Sequence, residues 1–138
     1  MSPHSTGYSG TPLAKKLGVR EGSCVFPIGA PSDYQHMLAP VPKDVTFIAT
    51  PSARADVIHQ FVVKRVNLEK RLLSLRKRIR PDAALWVSWP KKTSKVSSDV
   101  HEDIIRSVAL PMGYVDVKVC AVSEVWSGLK LVIRKDLR

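Results

Sequence analysis

Four histidines, two cysteines and 12 carboxylates are the side chains of this chain that could hold a metal or move a proton. His4, His36, His59 and His101 are scattered, and none has ligand spacing with a cysteine or a second histidine. A zinc site is therefore not expected. Neither a G-x-S-x-G nucleophile elbow nor a P-loop is present. Ser127 stands in a Trp-Ser-Gly run, but no histidine is placed to serve as its base. His59 falls mid-strand, where it reads as a hydrogen-bonded core residue. Cys24 and Cys120 lie in apolar runs, as buried free thiols of a reducing cytoplasm do. These residues point to a protein without metal, without cofactor and without catalysis of its own.

The cations are the more informative set. Lys+Arg number 22 against 12 Asp+Glu, a formal net charge of +10 in 138 residues. Residues 1–63 hold five bases and four acids, a net +1, whereas residues 64–138 hold 17 and eight, a net +9. A field of that sign concentrates anions, whether a small ligand, a nucleic acid or an acidic protein. Around residues 64–80 eight cations oppose only Glu69. Arg71, Lys77 and Arg78 are the candidates there for tracking nucleic-acid phosphates, although that face has no aromatic ring to stack a base. No window approaches the roughly 18 consecutive apolar residues of a membrane span, and the first residues lack the apolar core of a signal peptide. A cytoplasmic protein with no membrane partner is the expectation.

Which elements position these groups? Residues 1–9 are small and polar and read as a flexible tail, leaving 10–138 for a single domain. Thr11-Pro12 opens a short helix that Gly18 should stop. Strands are expected at 23–28, 45–49 and 56–63, with a helix at 32–39 between the first two. Asn67 is placed to cap a helix whose Leu68, Leu72, Leu75 and Ile79 form one apolar stripe. Pro81 ends it, and a fourth strand follows at 84–89. Ser98 or Asp99, with Glu102 following, resembles a capping box for a helix running to Gly113. Strands at 115–122 and 125–134 close the chain, joined by a loop too short for a crossover, so they must pair antiparallel.

Strand–helix alternation with a terminal hairpin predicts a three-layer α/β/α sandwich around a mostly parallel sheet. Right-handed crossovers give the order 2-1-3-4-6-5, with the last strand antiparallel. In that topology the carboxyl ends of the parallel strands share one rim with the start of strand six, and open α/β sheets bind ligands at such a rim. Lys64, Trp89, Lys91, Lys92, Trp126 and Ser127 should meet there as a site for a small anionic or nucleotide-like ligand. The lysines would supply charge, and Ser127 and the N–H groups at the Ser98/Asp99 helix start would supply directed donors. The tryptophan faces would stack a ring.

The topology resembles a trimmed Rossmann-like methyltransferase core. The segments SGTPLAKKLG (9–18), IGAP (28–31), LWVSWPKK (85–92), KVCAV (118–122) and WSGLKLVIR (126–134) more narrowly resemble a family of small bacterial proteins grouped as a domain of unknown function. The likeness spans about residues 9–135; it implies the fold and a bacterial setting but no activity. His59-Gln60 and Pro27 depart from the family's pattern. A working methyltransferase needs a glycine-rich turn after strand one, because backbone must approach the methyl donor closely. It also uses an acid after strand two for the ribose. Here the turn is Gly29-Ala30-Pro31 and strand two ends Ile48-Ala49-Thr50, so an active methyltransferase is the least favoured reading. Asp56, before strand three, matches an Asp common in these folds but equally suits a strand start.

Overall fold

Leu13–Leu17 forms the first helix, α1, with Pro12 as its N-cap residue. Gly18 closes it in the left-handed region at φ 83°, where its N–H reaches back to the carbonyls of Ala14 and Lys15. The chain then alternates: β1 (Cys24–Ile28), α2 (Tyr34–Met37), β2 (Thr46–Phe47), β3 (Val57–Phe61), α3 (Arg65–Arg78), β4 (Ala84–Pro90), α4 (Glu102–Ala109), β5 (Tyr114–Ala121) and β6 (Trp126–Ile133). The computed structural model describes residues 10–138, and the expected tail lies outside them.

The six strands form one sheet in the order β2-β1-β3-β4-β6-β5. β2, β1, β3 and β4 run parallel, and β6 pairs antiparallel with both β4 and β5. The order deduced from handedness and loop length is the observed one. β2 is shorter than its sequence suggests, and Pro27 supplies the reason. Ser23 and Val25 turn their carbonyls toward β2, accepting from Thr46 and Ile48 at 2.9 Å each. Pro27 points to the same side two residues on, has no N–H to donate, and the ladder stops.

Period-two alternation divides the side chains between two cores. Leu85, Val87 and Trp89 of β4, with Leu129, Leu131 and Ile133 of β6, pack under α3 and α4. Leu68, Leu72 and Leu75 of α3, with Ile79 just past its end, form the expected stripe against them, each burial contributing roughly 2 kcal/mol. On the opposite face Val57 and Phe61 of β3 and Trp86 of β4 pack under Ala14, Leu17 and Tyr34 of α1 and α2. The polar ends of the buried rings are paired: Trp86 Nε1–H donates to Leu17 O at 3.0 Å, and Tyr114 O–H to Leu72 O at 2.7 Å.

Two helix starts differ from expectation for one shared reason. α3 begins at Arg65, two residues before Asn67, because the Asp99 carboxylate accepts from the Arg65 N–H at 2.6 Å across 34 residues of chain. Asp99 N–H and Ser98 Oγ–H in turn donate to Val63 O at 3.1 and 3.0 Å. The residues that resembled a capping box for α4 therefore clamp the β3–α3 junction, and α4 starts later, at Glu102.

Candidate functional site at the carboxyl rim

Register brings the β4 and β6 residues of the expected site to one end of the sheet. Trp89 pairs with Ser127 and Pro90 with Trp126, while Lys91 N–H donates to Val125 O at 2.7 Å. Lys64 stands exposed at the N-cap of α3, at the same end of the neighbouring strand. The alternation that places them also separates them. Trp89 enters the core under α3 and α4 and is only 7% exposed. Trp126 lies on the other face, edge-on to Phe61 at 5.1 Å between ring centroids. The two indoles stand on opposite sides of the sheet and form no common stacking slot, which corrects the expectation that they meet.

A cleft of about 570 Å3 opens beside Trp89, lined by Lys91, Lys92, Val96, His101 and Glu102 among others. Lys64, Trp126 and Ser127 do not line it. The expected donors at a Ser98/Asp99 helix start are also absent, since α4 begins with its own acids, Glu102 and Asp103. Those acids complement the positive end of the helix themselves and are tied to Arg106, Asp103 at 3.5 Å. Among the described residues, Lys91 and Lys92 have no ion-pair partner, so they are the charges a ligand would meet.

The methyl-donor position fails a fit test. Gly29, at φ 64°, does allow a close approach, but the approaching group is the protein's own. A Cβ built there would stand 2.9 Å from Phe61 O and 3.5 Å from both terminal nitrogens of Arg71. Arg71 donates to Phe61 O at 2.8 Å, and burial holds its guanidinium pKa below the ordinary value. No acid follows β2. Asp56 lies at the opposite pole, accepting from Cys24 N–H at 2.7 Å and from Arg80 at 2.9 Å. These residues do not fit S-adenosylmethionine.

Arg71 is also lost to the basic helix face, because it ties α3 to the end of β3 through the Phe61 carbonyl; Lys77 and Arg78 remain exposed. His59 is the hydrogen-bonded core residue its position suggested. It is fully buried, with Nδ1 2.8 Å from Tyr34 Oη and Nε2 2.7 Å from Ser88 Oγ. Burial lowers its pKa from 6.5 to about 3, which keeps the ring neutral. Sequence reading missed the lysines that β5 and β6 bring together, Lys118 and Lys130. The available signal was alternation, with Lys130 between Leu129 and Leu131 and Lys118 between Val117 and Val119. Among the described residues no group of three or more potential metal ligands occurs, and no helix is long and apolar enough to cross a membrane.

No family model and no curated protein matches this sequence. Solved structures do match it. A putative type 11 methyltransferase from Sulfolobus solfataricus superposes with a TM-score of 0.63 at 11% identity, covering 89% of this chain and 90% of that one. A SAM dependent methyltransferase from Aquifex aeolicus gives 0.56 at 16% identity over 88% of both chains. Aeropyrum pernix fibrillarin, in complex with natively bound S-adenosyl-L-methionine, gives 0.57 at 12% identity, covering 87% and 73%. At such identities the likeness defines the class by fold alone: this chain has a Rossmann-like methyltransferase fold.

Proposed function

We propose that this protein is a non-catalytic binding module that holds a small anionic or nucleotide-like ligand at the carboxyl rim of its sheet. The observation that carries the reading is the cleft beside Trp89, where Lys91 and Lys92 present charge while the neighbouring acids are held by Arg106. The methyltransferase-like fold supports a rim ligand, since open α/β sheets bind at that edge. Catalysis is not part of the reading, because Arg71 and the Phe61 carbonyl take the close approach at Gly29 that a methyl donor would need. In this reading the chain is one of the small bacterial cytoplasmic proteins that its motifs resemble.

Ligand-dependent thermal shift tests it, with inorganic phosphate, nucleotides and S-adenosylmethionine as probes. A rim ligand at roughly 100 times its Kd adds about 2.7 kcal/mol of stability, and Lys91→Ala/Lys92→Ala should remove the part of the shift that the rim supplies. No shift with any probe, or a shift that the double variant leaves unchanged, ends the proposal. A shift with S-adenosylmethionine that survives the double variant would move the reading to catalysis.

A further inference from the structure

The rim does not account for the face that the β5–β6 hairpin turns toward α1. Leu129, Leu131 and Ile133 of β6 fill the core beneath α3 and α4, so Gly128 and Lys130 point the other way. Lys118 of β5 is the register partner of Lys130, and Cys120 that of Gly128. Two ammonium groups thus leave adjacent strands directly opposite one another, where Cβ atoms stand about 5 Å apart and like charges repel. Neither has an ion-pair partner among the described residues. Lys118 Nζ stands 6.0 Å from the centre of the Trp86 ring. At the turn end of the hairpin, Lys16 Nζ donates to Ala121 O at 3.2 Å.

Lys130 also walls a cleft of about 460 Å3 at the amino ends of the strands, with Leu17, Gly18, Ser23, Asp56 and Arg80. Two of the carboxylates in it are paired with the cleft's own Arg80: Asp56 accepts from Arg80 and from Cys24 N–H, and Asp82 accepts from Arg80 at 2.6 Å. Arg20 and Glu21, both exposed at its lip, offset each other's charge. Burial first, and the charge of Lys118 second, hold the Lys130 ammonium pKa below its ordinary value.

We propose that the opposed pair Lys118 and Lys130, of which Lys130 lines this amino-pole cleft, binds a phosphorylated small molecule. A carboxylate would neutralise only one of the two ammonium groups. A phosphate monoester carries about −1.5 to −2 at pH 7 and offers three acceptor oxygens, enough to bridge both. This site lies apart from the rim cleft and does not depend on it.

Titration calorimetry with inorganic tripolyphosphate at low salt tests the assignment. Saturable binding is expected in the Lys91→Ala/Lys92→Ala background, where the rim charges are gone, and is weakened at least about tenfold when Lys118→Met/Lys130→Met is added, because two charge-assisted contacts go. Lys118→Glu should raise the unliganded Tm by turning repulsion into attraction, yet lose binding, which separates charge from misfolding. Absent binding, or equal binding by Lys118→Met/Lys130→Met, overturns the proposal. A single-stranded oligonucleotide that outcompetes tripolyphosphate at equal phosphate concentration overturns the small-molecule assignment.

Discussion

Replacing His59 by leucine tests the buried chain Tyr34–His59–Ser88 in two independent ways. The ring sits at full burial between two hydroxyls, 2.8 and 2.7 Å from its nitrogens. Removing it leaves both hydroxyl groups buried without that partner, each costing about 1–3 kcal/mol, so His59→Leu should lose about 2–6 kcal/mol at neutral pH. Tyr34→Phe/His59→Leu/Ser88→Ala removes all three polar groups together and should recover much of that loss. The second readout is pH. Folding lowers the pKa of His59 from 6.5 to about 3, so below 6.5 the unfolded chain takes up a proton that the folded chain refuses. The stability contribution is fully present above 6.5 and is lost as pH falls toward 3. The linkage slope is about 1.4 kcal/mol per pH unit, which amounts to about 2.5 kcal/mol between roughly pH 7.5 and 4.5. Urea unfolding of wild type and triple variant across that range isolates the term, since the other titrating groups are shared. Equal acid slopes in the two proteins would refute the reasoning.

Gly29→Ala combines a left-handed φ of 64° with a Cβ 2.9 Å from Phe61 O, and should cost about 1–3 kcal/mol in chemical denaturation; a neutral effect would mean that the turn relaxes freely. Gln60 is fully buried, and neither side-chain atom of its amide has a hydrogen-bond partner. Gln60→Leu should therefore stabilise by about 1–2 kcal/mol, and destabilisation in the same assay would reveal a partner such as a trapped water.

What the sequence disclosed is what neighbours along the chain and simple periodicities control. The strand order followed from handed crossovers and one short loop, and the α3 stripe from the spacing of four apolar residues. Gly18 announced a left-handed stop, which the structure uses. The misses share the opposite character. Asp99 caps α3 from 34 residues away, and Arg71 turns inward to a carbonyl; local propensity holds no record of either contact. The division of Trp89 from Trp126 was legible in principle. The apolar residues around each tryptophan alternate with period two, and the antiparallel pairing of Pro90 with Trp126 sends Trp89 to the other side. For the rim, adjacency at a strand end was readable and orientation was overlooked.

The two borders of the sheet resist further growth by different means. β2 offers a border only two residues long, too short to template another chain. β5 offers eight residues, with Val117 and Val119 about half exposed, the profile of a strand that would seed fibrils. Its register slips between Asp116 and Lys118, and the slip bends the border while a lysine charges it. The irregularity that aims Lys118 is thus also a safeguard against polymerisation, and straightening it would trade solubility for symmetry.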